Sequence, residues 1–431
     1  MSNGTIYRID VATQIKTTPS GGSSALLAGT SWISSSPGVG GDLFWVDGTN
    51  TRRWLSSTNT VVNWASSVTA GAFPVSSGNY PTLVTLWRSR MVLSGIASDP
   101  HNWFMARQSD PLDFNYGAEA GDAQRAVAGN NTDAGLVGDV VTALIPYDKD
   151  RLIFGGDHTI FLMTGDPAFG GEIELVSSST GVAFGKAWCM DPGQAVYFFG
   201  SEGVYRYVPG GMPESISKGR LDQAFRSINL STHRVRLEWD RAYSRLYVFV
   251  TVIATGASTH YVWESRVDAW WVDQYPNAHG PISSFVLDAD APGDRVLLIG
   301  GRDGYLRKMD PAATSDDGTA ISSYVFYPPI RSGEGVRDQV LNQLSVTLSK
   351  STTNCDIAVL TSEEAESLYD GTATTAISRN YTSGGRRVDD RRRVRGSNLT
   401  LKISNSTINK LWAVEDIVAE VEILGKTKRA T

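Results

Sequence analysis

The residues with the clearest chemical potential are six arginines crowded into ten positions. Residues 386–395 contain these six together with two aspartates, in a chain whose formal net charge is −6. Guanidinium groups donate paired hydrogen bonds that suit carboxylates and phosphates, so the pattern predicts contact with an acidic surface. The alternative is a solvated hairpin whose charges pair with one another. The assembly-interface candidates are Arg386, Arg387, Arg391, Arg392, Arg393 and Arg395.

Catalytic and metal-binding motifs are missing elsewhere in the sequence. The five histidines, at positions 101, 158, 233, 260 and 279, have no ligand-like spacing and are interpreted as turn or packing residues. Cys189 and Cys355 define neither a disulfide framework nor a metal knuckle. No nucleophile elbow, metalloprotease helix or phosphate loop is present. We therefore predict a protein that is not an enzyme, with no catalytic residues, no cofactor and no metal.

Two acidic segments deserve separate interpretation. Residues 315–319 read Ser-Asp-Asp-Gly-Thr and are similar to the Asp-box of sialidase propellers, but the aromatic residue that closes such a box is absent. We interpret them as a polar turn. Asp288, Asp290 and Asp294 offer oxygen atoms that suit calcium, but we interpret them as an exposed acidic loop.

The elements that position these residues follow from a phrase that occurs six times. Each copy is a run of large apolar residues that ends at a glycine or turn and is followed by a second run. The copies step along the chain by roughly 45 to 60 residues, which is typical of propeller blades. They occupy residues 42–46, 90–93, 151–154, 195–199, 245–249 and 295–299.

Each copy has the context of an antiparallel meander. Glycines after the run favour tight hairpins, and a more polar strand often comes last, as at residues 172–176. A second strand that is apolar throughout is buried on both faces, as in stacked four-stranded blades. The sequence thus predicts an all-β fold with a β-propeller of about six blades. A set of similar sandwich hairpins is the alternative.

The propeller pattern stops near Asp310, and a different pattern of predicted β-strands follows. We predict a propeller domain over residues 1–325 and a C-terminal β-sandwich-like domain over residues 326–431. A short helix is predicted over residues 363–369. Residues 1–20 lack the pattern of a signal peptide, and no segment is long and apolar enough to span a bilayer.

Residues 103–114 read Trp-Phe-Met-Ala-Arg-Gln-Ser-Asp-Pro-Leu-Asp-Phe, and residues 162–167 read Leu-Met-Thr-Gly-Asp-Pro. The first segment resembles a part of tail proteins from short-tailed bacteriophages (podoviruses). The second segment is similar to the way in which those proteins run from one blade to the next. The closing stretch, residues 386–395 followed by residues 411–425, resembles their C-terminal domain. The resemblance covers most of the chain and is to the tail hub or nozzle family, also described as packaged-DNA stabilisation proteins.

The resemblance implies a structural virion protein of the phage tail, made in the host cytoplasm. Its copies would form a ring, usually sixfold, that extends the DNA channel below the portal and adaptor, retains the genome and conducts it during ejection. The implied partners are further copies of the chain, portal and adaptor proteins, tail fibre or needle proteins, and non-specific double-stranded DNA. The arginine cluster would then meet a neighbouring subunit or the adaptor, with DNA phosphate a weaker alternative.

One departure and two rival functions remain. Residues 4–10 look like the second strand of a blade hairpin whose first strand is missing, so the first blade is either completed from elsewhere or closed differently. One rival is a propeller that binds glycans or a sialidase-like glycoside hydrolase, which needs two carboxylates across a cleft. The other is a cellular scaffold propeller, whose commonest family has a Trp-Asp rhythm that is absent here.

Overall fold

A computed structural model describes residues 6–10, 13, 15–22, 34–38, 40–117, 121–287, 295–310, 312–330 and 337–426. The chain divides into two compact units, Met1–Met309 and Asp310–Thr431. The domain boundary predicted at residue 325 therefore lies inside the second unit. There, the strand Ser323–Phe326 pairs with Asn398–Asn405 along its whole length.

The first unit contains six successive antiparallel sheets, which we number as blades 1 to 6 in chain order. Each blade is a meander, and the described part of blade 6 has three strands where the others have four. The strands are Ser34–Pro37, Leu43–Val46, Thr51–Leu55 and Thr60–Asn63 in blade 1; Leu83–Trp87, Arg90–Ile96, Asp99–Met105 and Val127–Ala128 in blade 2; Val141–Pro146, Arg151–Gly156, Ile160–Thr164 and Glu172–Ser177 in blade 3; Trp188–Met190, Val196–Gly200, Gly203–Tyr207 and Glu214–Ser215 in blade 4; His233–Asp240, Arg245–Val252, His260–Glu264 and Ala269–Asp273 in blade 5; Pro281–Leu287, Val296–Gly301 and Leu306–Lys308 in blade 6.

Shorter elements connect the blades. A two-stranded parallel sheet joins Ala70–Gly71 to Asp113–Phe114, and one α-helix follows blade 4 at Asp222–Arg226. Among the described residues of this unit, the 3-10 turns are Ala65–Ser67, Gly129–Asn131, Pro167–Phe169 and Asn277–His279.

The first strands of the blades line a common axis. The first strands of blades 1, 2 and 3 lie side by side, as do those of blades 4, 5 and 6. Ser34 of blade 1 both donates to Val84 O at 3.2 Å and accepts from Val84 N at 3.0 Å. One cavity of about 800 Å³ is lined by residues from the innermost part of all six blades. This shared axial cavity identifies the unit as a six-bladed propeller, and the predicted fold class is confirmed.

The repeated apolar phrase forms the second strand of every blade, as predicted. Phe154 in blade 3 and Phe198 in blade 4 are fully buried, because one face packs on the preceding blade and the other on the following blade. Blade 6 departs from this rule. Its second strand, Val296–Gly301, alternates between buried and half-buried residues, and Leu297 and Ile299 share a core with blade 5. The prediction that residues 296–299 are buried on both faces was wrong for this strand.

The phrase at residues 103–114 builds the third strand of blade 2 and the turn after it. The Trp103 indole is fully buried and donates to Gly135 O at 3.0 Å. The Asp110 carboxylate accepts from Leu112 N at 2.9 Å, and Phe114 packs beside Trp64 with ring centroids 6.1 Å apart. The phrase therefore has a structural role in stabilising the blade.

The N-terminal residues form a separate small sheet. Arg8–Ile9 pairs with Lys16–Thr17, and Ile6 packs with Trp45 and Val61 on blade 1. Blade 1 itself is formed by four strands from residues 34–63, so the strand at residues 8–9 is outside its ladder. Gly4 and Thr5 of the predicted blade strand lie outside the described residues.

The second unit is a β-sandwich, as predicted. Its two sheets share one core, to which Leu344 and Val346 contribute from one sheet and Val359 and Leu401 from the other. The predicted helix over residues 363–369 is only a 3-10 turn, Glu366–Leu368. One sheet has the strand order Ser323–Phe326, Asn398–Asn405, Cys355–Ser362, Thr374–Tyr381. The other is formed by Arg337–Leu348, Arg386–Asp390, Val394–Gly396 and Val414–Lys426.

Candidate assembly interface

The arginine cluster lies along one edge of the second sheet of the sandwich. Arg337–Leu348 is the central strand of this sheet. Arg386–Asp390 and Val394–Gly396 pair successively with one side of it, and Val414–Lys426 pairs with the other. We call residues 386–396 the arginine edge and residues 414–426 the acidic edge. The hairpin of the alternative interpretation does not form, because both parts of the arginine edge pair with the same central strand.

Most arginines of the cluster already have counter-charges in the same unit. Arg392 contacts the nearly buried Asp390 at 3.0 Å, and the hydrogen bond that Arg392 donates holds the pKa of Asp390 below its ordinary value. The remaining pairs are Arg387 with Asp389 at 2.9 Å, Arg393 with Glu422 at 3.3 Å and Arg395 with Asp338 at 2.8 Å.

Arg386 and Arg391 differ from these four. Both side chains are exposed, and neither has an ion pair within the described residues. Within the described residues, Arg386 and Arg391 are therefore the arginines of the cluster that an acidic partner would neutralise. The interface role of the six-arginine set stays a prediction.

The opposite edge of the same sheet is acidic, a feature that the sequence interpretation missed. Val414, Ile417 and Val421 pack on the sandwich core, while Glu415, Asp416, Glu420 and Glu422 are exposed. In the described part of the chain, only Glu422 among these carboxylates is in an ion pair. The carboxylates between the apolar residues were visible in the sequence, but the pairing of this strand with the far side of the central strand was not.

The axial cavity of the propeller is the second place where charged groups converge. Lys186, Arg236 and Glu238 line it, and Ser284 Oγ donates to Glu238 Oε1 at 3.1 Å. Burial raises the pKa of Glu238, although the nearby charges of Lys186 and Arg236 oppose this shift. Burial also lowers the pKa of Arg236 to about 10. A cavity of this size with mixed charges suits a small molecule and is far too narrow for a nucleic acid duplex.

The histidines are placed apart from one another. His260 is buried between the rings of Phe249 and Tyr275, and its Nδ1 accepts from Val250 N at 3.1 Å. His233 Nδ1 lies 3.0 Å from Asn229 O at a turn. Among the described residues, no group of three or more His, Cys, Asp or Glu side chains is arranged to hold a metal ion.

Of the two acidic segments, only residues 315–319 lie within the described residues. Ser315–Asp316 and Thr319–Ala320 form a small hairpin in the second unit, with Asp317 and Gly318 at φ of 47° and 82° in its turn. Two successive positive φ values are those of a type I′ hairpin turn. The segment lies in the second unit, outside the six blades. Asp288, Asp290 and Asp294 lie outside the described residues.

No helix in the described part of the chain is long and apolar enough to cross a membrane.

Comparisons with known proteins found solved structures of low similarity and no family. No family model matches the chain, and no curated protein matches it. One similar structure is the extracellular domain of a candidate one component system from B. thetaiotaomicron, with TM-score 0.41 and 11% identity over 66% of this chain and 34% of that chain. This chain therefore spans about a third of that structure. Another is a protein from Lactobacillus plantarum, with TM-score 0.41 and 12% identity over 72% of this chain and 92% of that one.

Proposed function

We propose that this chain is a structural protein of a short phage tail, whose copies form a hub or nozzle ring. The ring extends the DNA channel below the portal and adaptor, retains the packaged genome and conducts it during ejection. The observation that carries the proposal is the combination of the resemblance at residues 103–114 with a propeller joined to a β-sandwich. In the proposed particle the chain is located in the tail and meets portal, adaptor and fibre or needle proteins.

The size of the axial cavity determines where DNA would pass. At about 800 Å³ it has the volume of a ligand pocket, so the duplex cannot thread a single propeller. DNA therefore passes through the lumen that several copies enclose. The chain carries a net charge of −6, so no continuous phosphate clamp is expected and the duplex can slide without base recognition.

Electron microscopy of the purified protein tests the ring. We expect closed rings with a lumen wide enough for duplex DNA. Rings assembled in the presence of a closed circular duplex should remain on it in high salt and leave it after a restriction enzyme has cut the circle, because enclosure does not depend on charge. A protein that is monomeric at every concentration, or that binds linear and circular duplexes alike through salt-sensitive contacts, would contradict the proposal.

The glycan-processing rival makes the opposite prediction for activity. The hairpin of Asp316 and Asp317 belongs to the second unit, outside the blades. A glycosidase needs two carboxylates, whereas the described lining of the axial cavity contains one, Glu238. We expect no turnover of bacterial polysaccharides or peptides, measured as release of reducing ends or amines. Turnover that disappears in Asp316→Asn or Asp317→Asn would replace our proposal by the hydrolase.

A further inference from the structure

We infer that the arginine edge of one copy pairs with the acidic edge of the next copy, so that the sandwich sheet continues from subunit to subunit. This inference rests on the proposed ring and identifies the surfaces that join it. Each edge strand pairs with the central strand on one side only, within the described residues. The outer side of each edge therefore presents backbone N–H and C=O groups that another strand can pair with.

The charges on the two edges are complementary. After the internal ion pairs are assigned, the exposed groups left on the arginine edge are the cations Arg386 and Arg391. Those left on the acidic edge are the anions Glu415, Asp416 and Glu420. Opposite charges across neighbouring strands stabilise pairing, whereas like charges oppose it.

This complementarity selects one symmetry. A twofold dimer would bring each edge onto itself and place like charges opposite one another, while a head-to-tail contact joins opposite charges. Head-to-tail contacts close into rings when the rotation between copies permits. Charged edge strands also protect monomers from aggregation. Protection alone, however, does not require opposite signs on the two edges.

The strand directions determine the type of pairing. Both edges run antiparallel to the central strand, so they point in the same direction. A head-to-tail continuation of the sheet therefore joins them as a parallel pair. Arg387 and Asp416 share a row through Thr347, so continuation in the same register places an arginine beside an aspartate.

Charge reversal on the full chain tests this contact. The basic-edge variant is Arg386→Glu with Arg391→Glu, and the acidic-edge variant is Glu415→Lys with Glu420→Lys. None of these residues has an ion pair in the described residues, so the substitutions leave the internal pairs intact. The control is Glu363→Lys with Glu364→Lys, which makes the same charge change as the acidic-edge variant at two exposed positions of the same unit away from both edges.

Assembly is measured by sedimentation velocity and mass photometry across a salt series. We expect each edge variant alone to require at least a tenfold higher concentration to assemble, while the control behaves as the wild type. An equimolar mixture of the two edge variants should recover assembly, because one has two acidic edges and the other two basic edges. This recovery also shows that both variants are folded, and thermal unfolding checks each separately.

The possible failures are distinguishable. If the wild type forms rings and both edge variants form them equally well, the edge contact is overturned and the ring proposal stands. Loss of assembly in both variants without recovery on mixing would also overturn the edge contact. Head-to-tail oligomers that respond to charge reversal but enclose no lumen would support the edge contact and contradict the ring. A wild type that is monomeric throughout would overturn both.

Discussion

Arg90 shows how one residue of the repeated phrase does more than begin a strand. Its side chain is fully buried in blade 2. Its guanidinium donates to Ala106 O at 3.2 Å, Gln124 O at 3.3 Å and Ala123 O at 2.8 Å. It thereby ties the long connection before the last strand of the blade to the second strand. Nothing in the sequence distinguishes this arginine from those that begin other copies, because the carbonyls it reaches are brought together only by the fold.

We expect Arg90→Ala to lower the free energy of unfolding by roughly 3 kcal/mol or more, because several buried carbonyl groups lose their donor. Arg90→Lys should recover only part of this, since an ammonium lacks the planar fork. Urea denaturation measures both variants. Arg226→Ala is the control, since that exposed side chain has a surface ion pair worth about 1 kcal/mol or less. Equal losses for Arg90 and Arg226 would show that the buried contacts contribute little.

His260 provides a test by pH. Burial lowers the pKa of His260 to about 3, from an ordinary value of 6.5. Below pH 6.5 the His260 imidazole is protonated in the unfolded chain but stays neutral in the folded chain. Its contribution to the free energy of unfolding therefore falls as the pH falls from 6.5 toward 3. Between pH 7 and pH 5 this loss of free energy of unfolding amounts to about 2 kcal/mol.

His260→Asn retains an acceptor for Val250 N and removes the titrating ring. We expect the variant to lose less stability than the wild type between pH 7 and pH 5, by about 2 kcal/mol. Denaturant midpoints at several pH values measure this difference. His158→Asn, at an exposed position, is the control for replacing a histidine by asparagine. An unchanged slope in His260→Asn would show that His260 titrates alike in the folded and unfolded states.

At the scale of elements, the second strands of the blades were the most predictable part of the chain. Strands buried on both faces are apolar throughout, and this leaves a signal that needs no knowledge of partners. Pairing between distant segments leaves no such signal. A hairpin was the alternative interpretation of the arginine cluster, since nothing local shows that residues 386–390 and 394–396 share the central strand. Blade 6 also kept its apolar phrase without burying both faces.

The buried second strands predict the cost of truncation. Phe154→Ala or Phe198→Ala should lower the free energy of unfolding by about 3–5 kcal/mol, because each removes a fully buried ring between two blades. Phe169→Ala, at a side chain that is 66% exposed, serves as the control and should change stability far less. Denaturant unfolding compares the three variants. Similar values for all three would mean that the blades do not depend on these contacts.

At the scale of the whole molecule, the sequence predicted two β domains and suggested the arginine cluster as an assembly interface, but it did not indicate the acidic edge. The change of pattern near Asp310 was visible because apolar periodicity changes there. The opposite charges of the two sheet edges were not visible as a pair, since residues 386–395 and 414–426 become opposite edges only when both flank the central strand. Long-range strand order was therefore the information that the sequence lacked.

The separate cores of the two units imply that the sandwich folds by itself. Its buried residues, such as Leu341, Ile357 and Leu401, form a cluster drawn entirely from the second unit. A fragment of residues 310–431 contains both sheets, so we expect it to unfold cooperatively on heating and to show dispersed amide resonances. As a control, Leu401→Ala in this fragment should lower its melting temperature by several degrees, because the side chain is 2% exposed in the shared core. A fragment without a cooperative transition would show that the sandwich needs the first unit in order to fold.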